Sequence, residues 1–95
     1  MYRHMVIFNL ESGVESEKTR VFLADGERIL TAIPEVKNFS VTRQVSPKND
    51  YDFCFSMDFD SEEEFKNYCV HPEHDKFVSE RWLKEVTRFL EIDLC

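Results

Sequence analysis

Between Tyr51 and Phe59 the chain alternates: Phe53, Phe55, Met57 and Phe59 are interleaved with Cys54, Ser56 and Asp58. A period of two fits an extended strand, whose successive side chains point to opposite faces. One face of this strand therefore needs an apolar layer against it, and the other meets small or polar neighbours. That requirement selects a sheet covered on one side. The same period recurs in Tyr2–Leu10, where Tyr2, His4, Val6, Phe8 and Leu10 share a face and Met5 and Ile7 share the other. It recurs in Val36–Val45, with Phe39, Val41, Arg43 and Val45 on one side. Val86–Leu94, carrying Phe89, Leu90, Ile92 and Leu94, is the fourth predicted strand.

The segments between these strands have helical period. Glu15–Ile33 places Val21, Phe22, Ile29, Leu30 and Ile33 near one stripe, and Pro34 ends the helix. Gly26 inside it costs about 1 kcal/mol relative to Ala, so it is expected to make room for a neighbour or a ligand. Ser46–Asp50 is a loop by composition. Ser61–Glu64 reads S-x-x-E, a capping box, just before Phe65, Tyr68 and Cys69. His71-Pro72 interrupts that helix, and Pro72 suits the first position of a new one running through Phe77, Val78, Trp82, Leu83 and Val86. The order is β-α-β-β-α-β with a split second helix: an α+β, ferredoxin-like arrangement with an antiparallel four-stranded sheet. No linker or repeat divides residues 1–95, which are expected to form one domain. The sheet face of Cys54, Ser56 and Asp58 is left bare, and Met5, Ile7 and Trp82 are expected to supply apolar surface elsewhere. A second copy packed sheet against sheet would cover it, giving a homodimeric α+β barrel.

Composition limits the partners. The formal net charge of −7 argues against nucleic acid and against an anionic membrane surface, both of which select clustered Lys and Arg. No apolar run approaches the ~20 residues that span a bilayer. The opening Tyr2-Arg3-His4 lacks the apolar region of an export signal, so a cytoplasmic location is expected. Cys54, Cys69 and Cys95 form neither a CxxC nor an even set, and the first two read as buried small hydrophobes.

The string Tyr68-Cys69-Val70-His71-Pro72-Glu73-His74-Asp75-Lys76-Phe77 is the most specific stretch of the chain. With Arg3–Phe8, Ile33–Val36, Tyr51–Phe53 and Phe59–Ser61, it resembles the stress-responsive A/B barrel (Dabb) domain family over nearly the whole chain. The resemblance implies a dimeric α+β barrel. Most members have no assigned activity, and some look like stress-linked proteins. Plant polyketide cyclases of this family catalyse an intramolecular aldol condensation without metal or cofactor, using the tyrosine and final histidine of this string. Those roles fall on Tyr68 and His74, and the family's strand histidine falls on His4. The first helix departs from the cyclase pattern, with Asp25 and Gly26 where aromatic tunnel walls would stand.

The residues support related chemistry on physical grounds. In the first turn after Pro72, the positive helix end disfavours an imidazolium at His74, leaving a neutral general base. Tyr68 on the preceding helix can donate its hydroxyl to a carbonyl or enolate oxygen. His4 shares its strand face with Val6 and Phe8, and Val6, Phe8, Phe22, Phe55, Met57 and Phe77 are expected to wall an apolar pocket. The expected function is a cofactor-independent lyase or cyclase acting on a small carbonyl or polyketide-like compound, with no metal and no cofactor. The alternatives are a non-catalytic stress-response or small-ligand-binding protein, and a dimeric-barrel monooxygenase.

Overall fold

A computed structural model describes residues Met1–Cys95. Four strands, β1 (Tyr2–Leu10), β2 (Lys37–Arg43), β3 (Phe53–Phe59) and β4 (Val86–Leu94), form one sheet in the order β2-β3-β1-β4. Every neighbouring pair is antiparallel. The helices α1 (Glu17–Thr31), α2 (Glu62–Cys69) and α3 (Pro72–Phe77) complete the ferredoxin-like order that the alternation predicts. No helix is long and apolar enough to cross a membrane.

The inner row of β1 (His4, Val6, Phe8 and Leu10) is buried, while Met5 and Ile7 on its outer row are half-buried. Opposite them on β3 lie Met57, Phe55 and Phe53, all buried beneath the helices. β2 is shorter than its alternation suggests: it ends at Arg43, and Val45 is 85% exposed. The register with β3 shifts between Lys37 and Ser40, where Asn38 adopts φ 53°. An Asn tolerates that left-handed backbone well. Its amide donates to Asp58 Oδ2 at 3.1 Å, and Arg3 Nε donates to Asp58 Oδ1 at 2.8 Å. The Arg3 guanidinium holds the Asp58 carboxyl below its ordinary range.

Each helix begins at a side-chain cap. Ser16 accepts from Thr19 N and Ser61 from Glu64 N, each at 3.2 Å. The Glu64 carboxylate reaches back to Asp60 N at 3.3 Å. His71 Nδ1 accepts from Glu73 N at 3.1 Å, so this histidine starts α3 at the break made by Pro72.

Two packing expectations are corrected. Val21 lies on the outside of α1, and Thr19, Phe22, Gly26 and Leu30 form its buried stripe. Trp82 supplies no apolar surface but is buried in the core, with its ring centroid 4.9 Å from that of Phe8. The reason is local. After α3 the chain makes a π-helical turn, Val78–Trp82, before a last α-helical turn, Leu83–Glu85. At 3.6 residues per turn, Phe77 and Trp82 would point about 140° apart. The wider π turn lets both face inward, while Leu83 turns out to solvent. Arg81 anchors this turn, donating to Asp25 Oδ2 on α1 and to Glu85 Oε2, both at 2.6 Å.

Gly26 answers the question its position raised. A Cβ there would lie 2.7 Å from Phe55 Cζ and 3.3 Å from Phe77 Cζ. The glycine lets α1 settle directly onto the aromatic core.

Candidate functional site

Between the inner face of the sheet and α3 with its π turn lies a cavity of about 240 Å³. Val6, Leu30, Phe55, Met57, Phe77, Val78 and Trp82 supply its apolar lining, and His4, Tyr68, His74 and Glu91 its polar groups. Leu83, Phe89 and Glu91, all exposed, mark its mouth between the last helical turn and β4. Of the residues singled out from sequence, His4, Val6, Phe55, Met57, Tyr68, His74 and Phe77 meet here. Phe8 and Phe22 do not; both are wholly buried in the core, with Phe8 4.9 Å from Phe55. They support the wall rather than form it.

The break at His71-Pro72 brings the tyrosine and histidine together. Tyr68 lies in the last turn of α2 and His74 in the first turn of α3, with ring centroids 4.6 Å apart. Tyr68 is 3% exposed, and burial pushes its phenol above the ordinary range, so it stays protonated as a donor. No hydrogen bond from the protein engages its hydroxyl. Burial also lowers the His74 pKa below 6.5, a shift only partly opposed by Asp75. His74 Nδ1 is buried without a partner, standing 3.8 Å from Asp75 Oδ1. A neutral imidazole and a protonated phenol thus lie side by side at the cavity.

His4 approaches from the sheet. It is 5% exposed, 4.9 Å from the Phe65 ring and 6.3 Å from the Tyr68 ring. The pairing of β1 with β4 sets His4 opposite Asp93 and Val6 opposite Glu91. His4 Nδ1 lies 2.6 Å from Asp93 Oδ1, and Nε2 lies 3.9 Å from Glu91 Oε1. Asp93, which holds the imidazole, and Glu91, at the mouth, were not anticipated from sequence. The only available signal was their spacing of two on a strand, which becomes meaningful once the strand's register with His4 is known. Burial raises the Cys54 and Cys69 thiols, so neither has the lowered pKa of an activated nucleophile.

Comparison with known proteins agrees with this architecture. The family model described as Stress Responsive A/B Barrel Domain matches residues 2–95. A Dabb family protein of ferredoxin-like fold from Mesorhizobium loti superposes with a TM-score of 0.97 at 45% identity, covering 99% of this chain and 94% of its own. A dimeric ferredoxin-like protein of unknown function from Thermobifida fusca gives 0.80 at 22% identity, covering 99% and 89%. A hydroxynitrile lyase from Passiflora edulis gives 0.82 at 17% identity, covering 98% and 90%. At those two lower identities the likeness concerns the fold alone. No curated protein matches the sequence.

Proposed function

We propose, on the premise that this chain belongs to the stress responsive A/B barrel domain family, that it is a cofactor-independent lyase or cyclase acting on a small carbonyl compound. The observation that carries this reading is the pairing of neutral His74 with protonated Tyr68, 4.6 Å apart, on an apolar cavity. His74 removes the proton next to the carbonyl. Tyr68 donates to the carbonyl oxygen as enolate charge develops there, in surroundings where a hydrogen bond acts strongly. His4, held by Asp93, lies across the cavity and can pass a proton to or from the substrate. The hydroxynitrile lyase of related fold illustrates lyase chemistry on such a scaffold; its substrate is not carried over to this chain.

The direct test is deuterium uptake at the α-carbon of small apolar ketones in heavy water, followed by nuclear magnetic resonance. Exchange requires only the base, the donor and solvent. Because burial lowers the His74 pKa below 6.5, the imidazole is still neutral at that pH, and the acid limb of kcat/KM should be centred below pH 6.5. Absence of exchange across the panel would overturn the reading, as would an acid limb centred above pH 6.5.

The assembly that goes with this reading is a homodimer through the outer sheet face. There Met5 pairs with Ile92 and Ile7 with Leu90, and Leu90 and Leu94 are each 49% exposed. An apolar strip of that kind on a sheet favours self-association. Wild-type protein should have twice the chain mass by light scattering at micromolar concentration. Ile92→Glu, which places a charge in the strip without entering the core, should yield the monomer. A monomeric wild-type protein would refute the interface.

A further inference from the structure

We infer that Glu91 makes the cavity selective by charge: it accepts small apolar molecules whose polar end donates hydrogen bonds, protonated amines before alcohols, and rejects carboxylates. The inference concerns the same cavity as the proposed lyase site but does not require that any reaction occur there.

The lining contains neither Lys nor Arg. At the end near β4 it presents Glu91, and Asp93 stands directly behind His4. With His4 protonated, His4, Asp93 and Glu91 together carry one net negative charge; with His4 neutral they carry two. Neither state offers an excess positive charge to a carboxylate. An incoming anion would lose its hydration and face like charge across walls of Phe, Met, Val and Trp, where screening is reduced.

The second observation is unmet hydrogen bonding. Tyr68 is 97% buried by its 3% exposure, and its hydroxyl has no protein partner. His74 Nδ1 is equally orphaned. Both residues line the cavity, at its α2–α3 end. Glu91 provides acceptor oxygens at the mouth, where its side chain remains 58% exposed. A ligand with a donating head at Glu91 and an apolar body among Phe55, Met57, Phe77 and Trp82 would meet matching chemistry at each point. Strand geometry explains the location of the carboxylate: Glu91 is opposite Val6 on the inner face, two residues from Phe89 and two from Asp93.

The test uses benzylamine, benzyl alcohol and benzoate, which share a ring but differ in head-group charge. Trp82, the one tryptophan of the chain, lines the cavity and reports occupancy through its fluorescence. Benzylamine should bind on the order of tenfold more tightly than benzyl alcohol, reflecting a charge-assisted over a neutral hydrogen bond, and benzoate more weakly still. Glu91→Gln should bring the amine and alcohol together, and Glu91→Lys should reverse the order in favour of benzoate. Equal binding of the three by wild-type protein would overturn the inference, as would an unchanged order in both variants or the absence of any binding. Circular dichroism of the variants checks their folding, which an exposed strand side chain should leave intact. Amine selectivity without ketone exchange would retain the inference and remove the lyase reading; exchange without amine selectivity would do the reverse.

Discussion

Phe55→Ala should reduce the unfolding free energy by about 3–5 kcal/mol, the usual cost of emptying a buried phenylalanine site. The Phe55 ring is at the centre of the core, 1% exposed, with ring centroids of Phe8 at 4.9 Å, Phe39 at 5.3 Å and Trp82 at 6.3 Å. It also lies stacked with Phe22 at 6.4 Å, and its edge fills the space left by Gly26. Removing the ring takes contacts from β1, β2, α1 and the π turn together. The glycine makes the loss harder to repair, because α1 has no side chain at that point to fall into the void. Small domains are stable by only about 5–15 kcal/mol, so the variant should lose from roughly a fifth to all of its stability. Chemical denaturation followed by Trp82 fluorescence would measure this. A loss below about 1 kcal/mol would mean that the core is not organised around Phe55.

The second large effect separates stability from activity at one residue. Tyr68→Phe should reduce turnover of a carbonyl substrate by about 10²–10³-fold, the range for losing one donor to a developing oxyanion. Its melting temperature should stay nearly the same, because the buried ring is kept and only a hydroxyl on a cavity-lining residue is removed. His74→Gln should lose a comparable 10²–10⁴-fold through loss of the base while remaining folded. A structural role for the string predicts the opposite pattern, with both variants melting earlier and ligand handling unchanged. Melting curves and turnover of the same preparations decide between them. Full activity in His74→Gln would remove the histidine from the mechanism.

Much of this architecture was legible in the sequence because it is local. Period-two runs mark β1, β2 and β3, the apolar residues of Val86–Leu94 mark β4, and Ser61 with Glu64 marks the start of α2. Pro72 marked the break that sets Tyr68 beside His74, since a proline can begin a helix but lacks the N–H to continue the one before it. The limits lay where local periodicity yields to packing. Apolarity alone puts Val21 on the inner stripe, yet the close approach of α1 to Phe55 puts small Gly26 inside and leaves Val21 exposed.

The alternation of Phe53, Phe55, Met57 and Phe59 by itself determined that this chain builds a one-sided sheet with its aromatics under helices, because an extended backbone leaves no other way to bury every second residue. Tertiary structure alone decided what surrounds the histidines. The π turn carried Trp82 into the core, and the β1–β4 register brought Asp93 and Glu91 to His4 across 89 and 87 residues of chain. Such pairings depend on strand order and register, which are set by the energy of the whole core rather than by the residues that meet.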